Sequence, residues 1–411
     1  MLGNRQTTLV GVRAKPMAKL TDETRASLRR RSRLVNLGRD TEFSQGFINV
    51  PPFRGSTVLY PDVATLKNRA QRFTYGTRGT PTTETLCSAW TDLSGAAGTV
   101  LVPSGLAAIV VALMTALSAG DHMLMTDSVY RPARAFADMT LKRMGIETTY
   151  YDPTIGADIA ALMRPNTKVV FTESPGSETF EVQDIPAIAA VAHARGACVI
   201  MDNTWATPLF FSAHAHGVDM AVEAGTKYLS GHADLLLGLV SANAEWFERL
   251  HQCVHLMAIP PSGEDVFLAL RGLRTMDLRL REAERQGLAL AQWFAERPEV
   301  LRVIHPALPD HPGHALWKHD YTGSSGLFSI VLKPTSEAAV AAFLDGLELF
   351  GIGYSWGGYE SLALPFDCTG SRTATRFDPG GPTVRFSVGL EDIEDLKDDL
   401  DRGFERLRAT A

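Results

Sequence analysis

The sequence predicts an α/β fold: a mostly parallel sheet sandwiched by helices, followed by a smaller C-terminal unit of α+β type. Between residues 99 and 242, short runs that are apolar almost throughout alternate with longer helical patterns. Strands of this kind are typical of a parallel sheet that is buried on both faces. Beyond residue 327 the order becomes strand, helix, strand, helix, which indicates a second and smaller unit.

The strands of the first unit are identified by apolar runs that end at turn or polar residues. In chain order they are Thr99–Val102, His122–Met125, Thr148–Tyr151, Lys168–Thr172, Ala197–Met201, Asp219–Val222 and Leu235–Ala242. Helices are predicted where apolar residues recur at helical spacing, in two cases followed by a glycine. These helices span Leu106–Leu117, Arg131–Met144 and Ile185–Ala194.

The flanking segments complete the predicted domain organisation. Residues 1–79 contain one charged helical pattern, Thr21–Arg33, and are otherwise rich in Pro, Gly and Thr. Such a segment buries little of itself, so we expect it to pack on another domain or on a neighbouring subunit. Residues 80–272 are expected to form the ligand-binding α/β domain and residues 273–411 the C-terminal α+β domain. The helical and strand patterns beyond residue 260 are Gly263–Phe294, Leu327–Leu332, Ala338–Leu349, Val384–Val388 and Ile393–Leu407.

Composition excludes several classes of protein. The 411 residues are 45% apolar and 21% charged, and the net charge of −6 does not favour nucleic-acid binding. No uncharged apolar run approaches the ~20 residues of a membrane span, and the cytoplasm is the expected location. The four cysteines form no Cys-x-x-Cys pair, and the histidines at 305, 311, 314 and 319 are interpreted as a solvated loop. We therefore expect neither a metal site nor a disulfide framework.

Three positions that follow predicted strands could carry chemistry, because ligands collect at the carboxyl ends of strands in an open parallel sheet. Ser104, Gly105 and Leu106 open a helix and could present unpaired N–H groups to a phosphate. Asp202 directly follows five apolar residues, and Lys227 follows the Asp219–Val222 strand. Taken singly, each has an ordinary alternative: a plain strand-to-helix turn, a helix N-cap and a surface lysine.

Taken together, the three positions match the requirements of pyridoxal 5'-phosphate (PLP). That cofactor needs a phosphate cradle, an anion facing its pyridine nitrogen and a lysine for its aldehyde. Thr226, beside the lysine, offers a further hydroxyl to the phosphate. No Gly-x-Gly-x-x-Gly follows the first strand, which argues against a dinucleotide enzyme. The sequence therefore predicts a PLP enzyme with Lys227 as its covalent attachment point.

Longer motifs resemble the Cys/Met-metabolism family of PLP-dependent enzymes. They are Tyr-Gly-x-Arg-Gly-Thr at 75–80, Asp-Asn-Thr-Trp at 202–205, Thr-Lys-Tyr-Leu at 226–229 and Tyr-Ser-Trp-Gly-Gly-Tyr-Glu-Ser at 354–361. The last of these, together with 272–275 and 323–328, resembles the β-lyase branch of the family. The resemblance runs from about residue 33 to the C-terminus. It implies the type I PLP fold and a homotetramer, a dimer of dimers with active sites at the dimer interface.

The resemblance implies how the cofactor would be held. Lys227 is the Schiff-base lysine, and Asp202 pairs with the pyridine nitrogen. Gly105 and Leu106 donate backbone N–H groups to the phosphate, and Thr226 assists them. Each of these residues occupies the position in this sequence that corresponds to the family's cofactor-binding residue.

Other matching residues are expected around the substrate. Tyr130 would stack on the cofactor and act in catalysis, and Arg385 would hold the substrate α-carboxylate in a bidentate pair. Ser355 would assist that arginine, and Trp356 would shape the pocket. Arg131 stands where the β-lyase branch has an acid, so preference at the distal end of the substrate could differ.

A third group is expected to reach the site from the neighbouring subunit. Tyr75 would contact the phosphate and take part in catalysis. The family has an arginine two residues later, where this sequence has Thr77, so one positive partner of the phosphate is missing. Arg78, one residue further on, is expected at the distal end of the substrate.

The implied reaction is a carbon–sulfur β-elimination that converts L-cystathionine to homocysteine, pyruvate and ammonia. Alternatives within the family are a γ-lyase, a γ-synthase or a broader lyase of cysteine S-conjugates. A remote alternative is a relative that has kept the fold without catalysis, which the presence of Lys227, Asp202 and Arg385 disfavours.

Overall fold

The computed structural model describes residues 22–39, 44 and 46–411. Its larger sheet has seven strands, which in chain order are β1 (Gly98–Val102), β2 (His122–Thr126), β3 (Glu147–Tyr151), β4 (Thr167–Glu173), β5 (Cys198–Asp202), β6 (Met220–Ala224) and β7 (Gly238–Ala242). The spatial order is β1-β7-β6-β5-β4-β2-β3. β7 is antiparallel to both of its neighbours, and the other pairs are parallel. The prediction of a mostly parallel sheet is confirmed.

Helices lie on both faces of this sheet. In chain order they are α1 (Asp22–Ser27), α2 (Arg30–Asn36), α3 (Val63–Asn68), α4 (Pro81–Ser94), α5 (Gly105–Ala116), α6 (Arg131–Ala135), α7 (Ile185–Ala194), α8 (Thr207–Phe210), α9 (Phe247–Met257) and α10 (Gly263–Ala295). Helix α6 continues as one π-helical stretch, Phe136–Leu141, within the predicted 131–144 pattern. One apolar cluster joins α4, α7, α8 and α10 to one face, and a second joins α5, α6 and α9 to the other.

The C-terminal unit is a second sheet with its own core. Its strands are β8 (Val300–Ile304), β9 (Leu327–Leu332), β10 (Phe350–Gly351), β11 (Ser361–Phe366) and β12 (Thr383–Ser387), in the order β10-β11-β12-β9-β8. Its helices are α11 (His314–Asp320), α12 (Glu337–Asp345) and α13 (Ile393–Thr410). A third apolar cluster lies between this sheet, α12, α13 and the end of α10. The predicted α+β character is confirmed, although the sequence patterns missed β8, β10 and β11.

The N-terminal segment packs in part on its own chain. Leu34 is 1% exposed, and Arg274 on α10 donates to the carbonyl oxygens of Leu34 and Leu37 at 2.7 and 2.8 Å. Among the described residues before residue 70 there are three short helices, where the sequence predicted one; Thr21 lies outside the described residues. The proposed domain boundary after residue 272 falls inside α10, so this helix would link the two domains.

The interpretation of the four histidines as a solvated loop is wrong for two of them. His305 is 0% exposed, and its ring is tilted against that of Phe328, with ring centroids 5.7 Å apart. His311 is also buried, and helix α11 begins at His314. The Pro and Gly residues indicated a loop correctly, but its burial depends on packing against β9. In the described part of the chain, no group of three or more potential ligands could hold a metal ion, and no helix could cross a membrane.

Candidate active site

Three side chains lie at one edge of the large sheet because their strands run in parallel. Glu173 and Asp202 are the last residues of β4 and β5 and are direct register partners. Asp202 is in turn paired with Val222 of β6. Lys227 follows β6 in a tight turn, in which its N–H bonds to the Ala224 carbonyl at 3.0 Å. The topology therefore delivers an amine and two carboxyl groups to the same edge.

The Lys227 amine lies in a polar and aromatic pocket. Its Nζ donates to Ser355 Oγ at 2.9 Å and lies 5.2 Å from the centroid of the Trp356 ring. Burial, followed by the positive charge of Arg385, lowers the pKa of Lys227 to about 8, although Asp202 opposes this change. An amine with this pKa is partly neutral near pH 7 and can serve as a nucleophile or a base.

Asp202 is held by a turn of its own and does not cap a helix. Its Oδ1 accepts hydrogen bonds from the N–H and the hydroxyl of Thr204, at 3.0 and 2.5 Å. Burial raises the pKa of Asp202, while Thr204 and the charge of Lys227 act in the opposite direction. The N-cap alternative fails because the next helix, α8, begins only at Thr207. The carboxylate is thus half-buried and stabilised by its own turn, as an anion facing a cationic ring would need to be.

The start of α5 lies directly against the strand that leads to Lys227. A Cβ added to Gly105 would come within 2.7 Å of the Ala224 Cβ, so only a glycine fits there without displacement. Ser104 caps the helix, since its Oγ accepts from the Ala107 N–H at 3.1 Å. No acceptor among the described residues is assigned to the N–H groups of Gly105 and Leu106. These two groups are available to an anion.

The Thr226 hydroxyl is engaged within the chain. It donates to the Leu237 carbonyl at 3.3 Å and accepts from the Leu237 N–H at 3.1 Å. This pair of bonds ties the lysine turn to the segment entering β7. The hydroxyl would have to share or exchange these bonds in order to assist a phosphate.

Arg385 reaches the site from β12 of the smaller sheet. It is 8% exposed, and its Nη2 donates to the carbonyl oxygens of Tyr354 and Ser355 at 3.0 and 3.2 Å. Among the described residues it has no carboxylate within 4 Å, and burial lowers its pKa. A buried guanidinium without a carboxylate partner is suited to a ligand carboxylate.

Tyr130 reaches the same pocket from the loop after β2. Its backbone N–H donates to Glu173 Oε2 at 2.8 Å. Burial, then the charges of Asp202 and Glu173, raises the pKa of its phenol, and Arg385 acts on it in the opposite direction. Tyr130 is therefore near Asp202 and Arg385, the groups that the sequence assigned to the cofactor and the substrate.

The residues at 75–78 lie elsewhere in the chain. Tyr75, Thr77 and Arg78 line a cavity of about 680 Å³ together with β1 and the α9 residues His251 and His255. Lys227, Asp202, Tyr130 and Arg385 do not line this cavity. One chain therefore does not bring the two groups together, and the roles of Tyr75, Thr77 and Arg78 stay predictions.

Sequence reasoning missed two buried acids near this edge. Glu173 ends an apolar strand as Asp202 does, and that shared pattern could have revealed it. Glu223 of β6 has one oxygen near the Trp90 indole N–H, at 3.3 Å, and the other without a partner among the described residues. Burial raises the pKa of Glu223 to about 8. Nothing in the sequence indicated that Glu223 is a site residue, because it lies inside the short strand β6 and not at its end.

The residues present fit PLP. The fit rests on a buried anion, a partly neutral amine beside it and two available N–H groups at the start of α5. The close approach of Gly105 to Ala224 brings the helix start near the lysine turn. No other group of the described residues combines these three features.

Comparisons with known proteins support a PLP-dependent enzyme. The sequence profile of the family described as Cys/Met metabolism PLP-dependent enzyme matches residues 31–405. A protein of Rhizobium johnstonii, provisionally named a cystathionine β-lyase, is 53% identical over 91% of this chain and 95% of its own length. The cystathionine β-lyase of Escherichia coli is 43% identical over 92% of this chain and 98% of its own length.

A solved structure supports the predicted type I PLP fold. The cystathionine γ-synthase of Xanthomonas oryzae, in complex with aminoacrylate and cysteine, superposes with a TM-score of 0.86 at 30% identity. The match covers 93% of this chain and 100% of the other. With the family profile spanning nearly the whole chain, this protein belongs to the Cys/Met metabolism family of PLP-dependent enzymes.

Proposed function

We propose that this protein is a carbon–sulfur β-lyase that cleaves L-cystathionine to homocysteine, pyruvate and ammonia. The observation that carries the proposal is that Lys227 and Arg385 both contact Ser355. The Lys227 amine lies 2.9 Å from Ser355 Oγ, and Arg385 Nη2 lies 3.2 Å from the Ser355 carbonyl oxygen. An α-amino acid carboxylate bound by Arg385 would bring its α-carbon toward the amine. The names of the two relatives favour cystathionine as the substrate.

The residues of this chain would hold PLP at three points. Lys227 would bind its aldehyde covalently, Asp202 would face its pyridine nitrogen, and the N–H groups of Gly105 and Leu106 would bind its phosphate. When bound, the cofactor supplies an electron sink for the carbanion formed at the substrate α-carbon. Tyr130 would cover the ring with its own aromatic face.

Proton transfer would fall to Lys227. Its amine would take the α-proton of the substrate, and its pKa of about 8 suits both uptake and release of a proton near neutral pH. The Ser355 hydroxyl holds the amine in place. The departing thiolate needs a proton, for which Lys227 and Tyr130 are the candidates.

The products of cystathionine decide between the reactions of the family. We expect the purified protein to release pyruvate, ammonia and homocysteine, measured by a lactate dehydrogenase assay and a thiol assay. Cysteine with 2-oxobutyrate would identify a γ-lyase and contradict the proposal. Comparison with cystine and other cysteine S-conjugates would test the broader lyase. Lys227→Ala serves as the inactive control, and it should also lose the visible absorbance of lysine-bound PLP.

We also propose that the active protein is a homo-oligomer with shared sites, a tetramer of two dimers. Phe47, Ile48, Leu59, Val63 and Leu66 are exposed apolar residues of the N-terminal segment, which suits an interface. Within one chain, Tyr75 and Arg78 line a cavity that does not include Lys227. This separation is expected if these two residues complete the active site of a neighbouring subunit.

Subunit mixing tests this arrangement. Lys227→Ala and Arg78→Ala variants, each of low activity, should regain activity when they are unfolded and refolded together, because hybrids contain intact sites. Mixtures that stay as inactive as their components would contradict shared sites. Light scattering of the wild-type protein would separate a tetramer from a dimer.

A cytoplasmic location is proposed on chemical grounds. The four cysteines are unpaired in the structure, and Cys198 and Cys368 are buried. Unpaired thiols are typical of proteins in reducing compartments. Fractionation of the native cells with an antibody would test this location.

A further inference from the structure

A second buried carboxyl group lies beside Asp202 and has no part in the proposed reaction. Glu173 ends β4 and is the direct register partner of Asp202 at the end of β5. Paired residues of neighbouring parallel strands point to the same face of a sheet, so the two carboxyl groups share one side. Glu173 is 9% exposed. Two acids placed in this way favour a proton on one of them, because like charges repel strongly in a buried setting.

The surroundings of the two acids differ. Asp202 accepts two hydrogen bonds from Thr204, and the positive charge of Lys227 acts on it. Glu173 accepts one hydrogen bond, from the Tyr130 N–H at 2.8 Å. Asp202 is therefore the better-stabilised anion of the pair.

The charges that act on Glu173 are negative. Burial, followed by the charge of Asp202, raises the pKa of Glu173 well above its usual value, and Glu178 and Glu181 act in the same direction. Only the hydrogen bond from the Tyr130 backbone opposes this effect. Asp202 lies at the end of β5, and Glu178 and Glu181 lie in the loop that follows β4, the strand that ends with Glu173.

The main chain at Glu173 is held by hydrogen bonds from other parts of the chain, which fix where its side chain starts. Gln183 Nε2 donates to the Glu173 carbonyl at 2.8 Å. The next residue, Ser174, accepts at its Oγ from the Gln183 N–H at 3.0 Å and from the Tyr321 hydroxyl at 2.9 Å. A buried acid that has one hydrogen-bond donor and no cation beside it among the described residues favours its protonated form.

We infer that Glu173 is a positioning residue that stays protonated at neutral pH, fixes the backbone of Tyr130 and leaves the negative charge of the pair on Asp202. The inference rests on the proposed function, in which Tyr130 and Asp202 contact the cofactor. A second anion at Glu173 would divide the attraction of a protonated pyridine ring between two carboxylates. A neutral Glu173 directs that attraction to Asp202 alone.

Unfolding of the full chain as purified, with and without added PLP, tests the protonation of Glu173 directly. Glu173→Gln is the neutral isostere. Asp127→Asn is the matched control, because Asp127 is also a buried carboxyl group that accepts backbone N–H groups, from Thr373 and Thr375. Burial raises the pKa of Asp127, but these hydrogen bonds outweigh it and the net direction is downward. The two variants should therefore respond to pH in opposite ways.

The sign of each response follows from linkage. The folded-state pKa of Glu173 lies above its unfolded value, so its stabilisation is complete at low pH and is lost as the pH rises toward the folded pKa. Relative to Glu173→Gln, the wild-type melting midpoint should fall by about 2–4 °C between pH 5 and pH 8. Asp127→Asn should instead be less stable than the wild type at pH 8, with a gap that narrows toward acid pH.

Turnover of cystathionine gives a second readout. Glu173→Ala leaves the Tyr130 N–H without its acceptor, and kcat should fall about tenfold. Glu173→Gln retains a carbonyl acceptor and should restore kcat to within about threefold of the wild type. Rescue by the neutral isostere would not follow if an ionised Glu173 were required.

Two results would overturn the inference: a wild-type midpoint that does not fall relative to Glu173→Gln as the pH rises, or a Gln variant as impaired as the Ala variant. Failure of the wild-type protein to cleave cystathionine would instead refute the proposed function. The unfolding comparison would still test the protonation of Glu173 in that case, because it does not depend on catalytic turnover.

Discussion

At the scale of single residues, the chemistry of the site depends on how burial changes the ionisation of Lys227. Its amine has a hydroxyl neighbour, an indole ring and a nearby guanidinium, and it lies close to one buried carboxylate. Burial and the guanidinium favour the neutral amine, and the carboxylate favours the charged one. The balance gives a pKa of about 8, where both forms are present near neutral pH.

The rate at which the cofactor-free protein takes up PLP should follow this ionisation. Only the neutral amine attacks an aldehyde, so the rate should rise with pH through about pH 8 and level off above it. Stopped-flow absorbance of the lysine-bound cofactor would measure it. Arg385→Met removes a positive neighbour, so its inflection should lie at higher pH. A wild-type rate that still rises near pH 10 would contradict the lowered pKa.

At the scale of elements, helix α10 holds the lysine turn in place. Arg279 donates to the carbonyl oxygens of Tyr228, Leu229 and Gly272 at 2.9, 3.2 and 2.8 Å. Burial lowers its pKa to about 10, and no carboxylate pairs with it among the described residues. The guanidinium therefore stabilises the turn after Lys227 by donating hydrogen bonds to its backbone carbonyl groups.

Replacing Arg279 with Met should destabilise the protein by about 2–3 kcal/mol, because several buried carbonyl groups lose their donor. Urea unfolding would measure the change, and PLP affinity should weaken with it. Arg285→Met is the matched control on the same helix, where the side chain is exposed and paired with Glu282. The control should unfold like the wild type. Equal effects of the two variants would show that Arg279 does not hold the turn.

The contact between β7 and the start of α5 depends on a glycine. A Cβ at Gly238 would lie 2.1 Å from the Ser104 carbonyl oxygen, so any other residue must push the helix start away from the strand. Gly238→Ala should therefore weaken PLP binding at least about tenfold and cost about 1–3 kcal/mol of stability. Fluorescence titration with PLP would measure the affinity.

The matched control for this change is Gly370→Ala, since an added Cβ there meets no atom within 4 Å. This variant should bind PLP as the wild type does. Tight binding by Gly238→Ala would mean that the helix start does not contribute to the phosphate site.

At the scale of the whole molecule, one buried acid links the two sheets. Asp127, after β2 of the large sheet, accepts the N–H groups of Thr373, Ala374 and Thr375 from the connection between β11 and β12. It also pairs with Arg134. This carboxylate fixes a long connection of the smaller sheet to the larger unit, on the side where Tyr130 enters the site.

Asp127→Asn should release this connection. Limited proteolysis should cut near residues 372–380 several times faster in the variant, because an amide oxygen accepts these bonds less strongly than a carboxylate. The net effect on the Asp127 pKa is a lowering, so its stabilisation is present above the unfolded pKa and is lost as the pH falls through the folded pKa. Wild-type cutting should therefore approach that of the variant in acid. Identical digestion patterns at neutral pH would refute the link.

The sequence determined much of the large sheet and the identity of its reactive residues. Apolar runs placed each of the seven strands, because strands buried on both faces leave little room for polar side chains. Asp202 and Lys227 were found as polar residues at the ends of such runs. The smaller sheet was harder to predict, since β8 and β11 carry exposed positions and β10 has two residues.

Tertiary structure alone decided what surrounds those residues. Ser355 and Arg385 lie more than 100 positions from Lys227 in sequence, and no local pattern shows that the smaller sheet brings them to the amine. The burial of Glu173 and His305 likewise depends on elements packed over them. Local periodicity shows which face of a strand or helix is apolar. Changes in pKa and the geometry of a ligand site arise instead from groups that are distant in the chain. Only the packed fold determines which of these groups come together.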